Sequence, residues 1–196
     1  MKQPLERTQV IILVSLFVLV VVLALAFFLG GREDRIKPPS EALLPMTPAG
    51  PTTPAEKKKV VLFFASENDD LLHPEDREIE AGPTPALEAG RVLEELIRGS
   101  KGSYLSTLPP ATKLRQVYFT TAGTAYADFS KELSADHPSG TAAEMATVYA
   151  VVNSLTYNFK DVKKVFILIE GVEKETLCGH VNLNKALLPF LAIVAQ

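Results

Sequence analysis

A two-layer α/β sandwich is the fold class this sequence predicts: a βαββαβ-type mixed sheet with two helices, preceded by one transmembrane helix. Three observations predict it. Residues 60–65 and 165–169 are short, fully apolar runs of strand length. Residues 84–97 and 141–155 carry apolar side chains at helical spacing behind start signals. Residues 10–29 form an apolar run of 20 residues without a charge.

The elements follow in chain order. Residues 1–9 are a short amino-terminal tail. Residues 10–29, VIILVSLFVLVVVLALAFFL, contain one weakly polar member, Ser15, and no polar stripe. At about 1.5 Å per residue such a helix crosses the roughly 30 Å hydrocarbon core. Ala24 and Ala26 give an Ala-x-Ala look, but the apolar run is longer than a signal peptide needs, and cleavage there would leave Phe27, Phe28 and Leu29 in water. No cysteine follows for a lipid anchor. An uncleaved signal anchor is the reading. Lys2 and Arg7 face Arg32, Arg35 and Lys37 across the span, so the charge count is nearly balanced; the short tail favours amino-terminus in and the remainder outside.

Residues 30–56 change character. Six prolines lie among Ser, Thr, Ala and Glu. Proline lacks a donor and resists helix and sheet interiors, so this is a semi-rigid linker holding a domain off the bilayer. The domain occupies residues 57–196. Residues 60–65 are a buried strand, and residues 66–84 read as an acidic irregular stretch. Thr84 and Pro85 open a helix, with Ala86, Ala89, Leu93, Leu96 and Ile97 on one stripe and Gly99 as its stop. Residues 114–120 and 124–129 form a hairpin around Ala122 and Gly123. Thr141-Ala-Ala-Glu144 is a capping box for a second helix striped by Met145, Val148, Val152 and Leu155. Residues 165–169 are a second apolar strand. Glu170-Gly171 turns the chain into a last strand, residues 176–183. Helices interleaved with strands make the layered α/β class.

Composition narrows the function. The chain has 196 residues and a net charge of −3, which gives no electrostatic footprint for nucleic acid. One cysteine forms no internal disulfide, and no Cys/His cluster has zinc spacing.

Cys178 and His180 are the sharpest chemical candidates. On a strand they would share a face, but Cα atoms two residues apart lie about 6.5–7 Å from each other, too far for a nucleophile and its base. No helix start follows Cys178 to lower its pKa. A small thiol and a structural imidazole are the expectation. Residues 67–80 hold seven carboxylates with His73 and Arg77, but without the regular oxygen spacing of a calcium loop. Asp128, Ser130 and His137 invite a triad reading, yet no nucleophile elbow surrounds Ser130. Lys57, Lys58 and Lys59 enter a strand without a phosphate loop. The sequence therefore assigns no catalytic, cofactor-binding or metal residue, and no cofactor.

A set of segments resembles the GerMN domain family of spore germination proteins: residues 61–63, 93–99, 108–114, 127–130, 152–156, 162–165, 167–171 and 177–183, in that order and spacing. The resemblance covers roughly residues 60–188 and implies a βαββαβ fold similar to ring-building modules, no catalysis, and a place outside the cytoplasmic membrane on an anchor. In that family the Gly-His step, here Gly179-His180, recurs as a structural feature. The chain departs from the pattern in having one copy, Gly99-Ser100 in place of Gly-Pro, and an apolar carboxy-terminal tail.

The expectation is a single-pass protein of the cytoplasmic membrane whose extracytoplasmic domain presents an α/β surface to an envelope complex or to itself. Its partners would be the membrane, through residues 10–29, and a protein or further copies; nucleic acid is not one. A ligand-binding or sensor-accessory module is the alternative, and a small cell-wall enzyme the third reading. The apolar tail either docks on the domain or is left as an interface.

Overall fold

The computed structural model describes residues 56–196, and these belong to a compact unit that begins at Thr52. The tail, the anchor helix and the linker, Glu56 excepted, lie outside the described residues. Among the described residues no helix is long and apolar enough to cross a membrane.

The fold is a mixed α/β arrangement with two sheets. Strands β1 (Lys57–Ala65) and β2 (Leu72–Glu80) form an antiparallel ribbon. Helix α1 (Pro85–Arg98) follows, then the hairpin of β3 (Leu114–Phe119) and β4 (Thr124–Phe129). A single helical turn, α2 (Glu132–Ala135), leads to the long α3 (Thr141–Asn158). Strand β5 (Lys164–Ile169) lies parallel to β4, and β6 (Val172–Glu173) turns back on its end, giving the sheet order β3-β4-β5-β6.

Local chemistry explains the elements. Thr84 accepts the Leu87 N–H at 3.3 Å and caps α1, which Gly99 ends at φ 87°. Gly123 turns the β3–β4 hairpin at φ 78°, where a Cβ would meet the Asp161 carbonyl at 2.8 Å. One sheet face carries Val117, Ala125, Ala127, Phe129, Val165, Ile167 and Ile169, all buried in one core with Val92, Leu93 and Leu96 of α1 and Val148, Val151, Val152 and Leu155 of α3. The opposite face carries Tyr118, Tyr126 and Phe166 in one cross-strand row, the last two stacked at 5.5 Å.

The second edge of β1 is closed by side chains rather than by a strand. Asn158 of α3 accepts the Val61 N–H at 3.0 Å and donates to the Val61 carbonyl at 2.7 Å, and Ser154 accepts the Phe63 N–H. The tail docks. Leu187 exchanges both main-chain hydrogen bonds with Val165, Asn153 grips the N–H and carbonyl of Phe190, and the Ala195 N–H reaches the Leu72 carbonyl at 2.9 Å. It therefore packs over α3.

Four expectations are corrected. The predicted single mixed sheet divides into a two-stranded and a four-stranded sheet. The acidic stretch contains β2, whose outward residues Pro74, Asp76, Glu78 and Glu80 are exposed while His73, Glu75, Arg77 and Ile79 point inward. The alternation is strict, but polar side chains occupy three of these four inward positions, so the apolar signal is missing. Residues 176–183 are a loop closed by a lone bridge from Thr176 to Asn182, because Gly179 takes φ 110° and the loop's N–H groups turn inward. The capping box does not form. Gly140 is the cap of α3, Thr141 already lies in the helix, and Glu144 reaches elsewhere.

Candidate functional site

Glu144 projects from the first turn of α3 and is wholly buried. A carboxylate in such a place must be fully hydrogen-bonded. Its Oε2 accepts the backbone N–H groups of Cys178, His180 and Val181 at 3.2, 3.1 and 2.9 Å. Its Oε1 lies 2.7 Å from His180 Nδ1, which places the imidazole proton on Nδ1 and leaves Nε2 as the open ring nitrogen. Burial pushes the Glu144 carboxyl up, but the Val181 N–H, the His180 ring and the N–H groups of Cys178 and His180 outweigh it and hold the pKa at about 2.

Cys178 and His180 do not pair with each other through hydrogen bonds. The thiol donates to the Ser134 carbonyl at 3.3 Å, while the imidazole belongs to Glu144. Catalysis by this loop would also need donors for a developing oxyanion. The N–H groups of residues 178, 180 and 181 are taken by Glu144, and that of Gly179 by Thr176 Oγ1. The dyad is built as a clamp: a buried anion on a helix fixes a loop that would otherwise have four unpaired donors.

The other candidates are dispersed. Asp128 accepts the Gly171 N–H at 2.7 Å and pairs with Arg115. Ser130 accepts the Lys113 N–H at 2.9 Å. His137 takes the Ser139 N–H on Nδ1 and meets Thr147 Oγ1 through Nε2 at 2.9 Å, and Thr147 donates to the Thr107 carbonyl. The three residues of the imagined triad thus have three separate sets of partners. Burial pushes the His137 imidazolium down, against the opposing field of Glu144. Lys57 pairs with Glu78 and Lys58 with Glu88.

Four of the seven carboxylates in residues 67–80 are engaged: Asp69, Glu75, Glu78 and Glu80. Asp69 meets His73, which stacks on Tyr104 at 4.9 Å. Arg77, buried beside Phe64, donates to Glu75, to Glu95 at 2.8 Å and to the Gly99 carbonyl at 3.1 Å. Burial raises the Glu75 carboxyl, yet the Ser100 hydroxyl, the Lys101 N–H and Arg77 bring it below its ordinary range. Among the described residues no group of three or more His, Cys, Asp or Glu side chains is placed to hold a metal ion. Sequence reasoning passed over Glu144 and Arg77 as binding centres. The only signals were a glutamate in an apolar helix face and an arginine in register with Ile79.

Two cavities flank the start of α3. One, of about 470 Å³, lies between the 66–72 segment, α3 and Ile193 of the tail. The other, of about 350 Å³, lies between α3, the 105–110 segment and residues 136–138.

A family model described as Germane, sporulation and spore germination, matches residues 61–175, ending just before the clamped loop. The similar solved structures include two from one protein. The tandem GerMN domains of the sporulation protein GerM from Bacillus subtilis align with a TM-score of 0.54 at 20% identity, over 68% of this chain and 46% of that one. The first GerMN domain of the same protein aligns with a TM-score of 0.52 at 22% identity, over 67% of this chain and 97% of that one. The chain thus spans about half the length of the tandem structure, and at these identities the likeness is one of fold. No curated protein matches the chain.

Proposed function

This chain belongs to the Germane family of sporulation and spore germination domains, and from that premise we propose that it is a membrane-anchored, extracytoplasmic domain that works by non-catalytic interaction. Residues 10–29 would span the cytoplasmic membrane once, residues 30–56 would set the reach, and residues 57–196 would present the α/β surface to an envelope protein or to further copies. The anchor rests on the charge-free apolar run of the sequence. The sporulation protein GerM from Bacillus subtilis, which shares this fold, suits an envelope assembly.

The observation that carries the non-catalytic reading is the occupancy of the Cys178–His180 loop. Four consecutive N–H groups, the thiol and one imidazole nitrogen already have internal partners. A loop arranged for hydrolysis would keep some of these for substrate.

A ligand-binding module is the second reading. It is favoured by the cavity of about 470 Å³, where Ser66, Asp69 and Thr141 converge on an apolar floor. Light scattering on residues 52–196 over a concentration series separates self-assembly from the rest. A mass rising toward a closed oligomer supports association between copies. A monomer at every concentration removes it and leaves a different protein partner or a bound ligand.

A further inference from the structure

The two cavities beside α3 abut. Both are lined by Ala65, Ala143 and Ala146, so they form one groove divided by small side chains. Its walls are apolar at both ends: Leu71, Met145 and Ile193 at one, Leu105 and Pro110 at the other. Leu105 is 42% exposed there, a large apolar side chain facing water.

The charge around the groove has one sign. Asp69 and Asp70 line the first cavity and Asp136 the second, and among the described residues neither is lined by a lysine or arginine. Asp69 is met by His73, but Asp70 and Asp136 make no ion pair among the described residues. His137 also lines the groove, and its burial pushes the imidazole pKa down.

Two sets of polar groups lack partners. The Thr107 hydroxyl, on a residue 8% exposed that lines the second cavity, is buried without a hydrogen bond. Buried hydroxyls are almost always satisfied, so this one is an unmet polar group in the wall of the second cavity. The first turn of α3 has no side-chain cap, which leaves N–H donors at Thr141 and Ala142 beside the first cavity.

We propose that this groove is the docking site for an apolar segment of a partner protein that carries lysine or arginine. Aliphatic side chains would fill the two cavities, the basic groups would meet Asp70 and Asp136, and main-chain carbonyls would take the donors at the start of α3. The inference rests on the interaction reading and gives it a surface and a partner chemistry. The helix start by itself would favour an acidic segment; the three aspartates oppose that.

The test uses the full chain in phosphatidylcholine nanodiscs with two synthetic octapeptides. One alternates leucine with lysine, the other leucine with glutamate, and each carries one photoreactive benzoylphenylalanine. Crosslinked positions are mapped by mass spectrometry. The lysine probe should attach at Leu105, Met145 or Ile193, with a yield about tenfold above the glutamate probe. The exposed pair Asp70→Lys/Asp136→Lys should remove that preference, and Ala146→Trp, which fills the divide, should lower the yield for both probes. Equal yields for the two probes, attachment away from the groove, or indifference to the charge reversal would overturn the proposal. Should the groove fail while light scattering still shows association, interaction stands and this surface for it falls.

Discussion

Glu144 shows how one residue determines the state of a distant loop. Its carboxylate has no access to water, and its four hydrogen bonds all run to residues 178–181. The depressed pKa sets the sign of the pH dependence. The unfolded chain binds the proton from the ordinary value of 4.5, the folded chain only near 2. Stability from this residue is therefore complete above pH 4.5 and lost as pH falls toward 2, and the shift corresponds to roughly 3 kcal/mol. His137 acts in the same direction at higher pH: its folded value lies below 6.5, so acidification through that point favours the unfolded chain. Glu144→Gln keeps the shape but sets an amide against backbone donors. It should cost about 1–3 kcal/mol at pH 7 and flatten the acid limb between pH 4.5 and 2. Circular dichroism across that range, with and without the substitution, checks it; two parallel acid limbs would mean that other carboxylates carry the effect.

Among the elements, β2 depends on Arg77 as the sheet core depends on its aliphatic residues. The guanidinium joins Glu75 on its own strand to Glu95 on α1 and to the end of that helix at Gly99. Both acids are largely buried, so Arg77→Ala would leave two carboxylates in one poorly solvated place and should cost about 3–5 kcal/mol. Urea unfolding measures this, and a loss below about 1 kcal/mol would show that water relieves the pair. The same residue explains where the sequence was legible. Helix α1 was readable because Thr84, Pro85 and Gly99 are local signals, and the β3–β4 hairpin because Ala122-Gly123 sits between alternating runs. Strand β2 was not, because its inward side holds His73, Glu75 and Arg77. The loop at residues 176–183 reads as a strand for a related reason: the group that satisfies its N–H donors is a carboxylate 34 to 37 positions earlier in the chain. Local patterning reports burial well when burial is apolar, and badly when a long-range polar partner replaces it.

At the scale of the whole molecule, α3 is the central member. It packs on β1 and β5, closes the free edge of β1 through Ser154 and Asn158, holds the clamped loop through Glu144, and is covered by the tail through Asn153. A helix with these duties is buried nearly all round, which is why its sequence is apolar beyond a single stripe. Tyr118 on the far side of the four-stranded sheet and Leu105 in the groove at the start of α3 are among the exposed apolar side chains. The proposed anchor would hold these faces outside the cytoplasmic membrane. Cys178 reports on this because it is the only thiol in the chain. It is half-buried and engaged by Ser134, so a maleimide should react slowly with the folded domain. After mild urea treatment of intact cells, a membrane-impermeant maleimide should label it fully. Labelling confined to opened cells would place the domain inside and overturn the topology, because neither the Glu144 clamp nor Ser134 shields the thiol once the domain has opened.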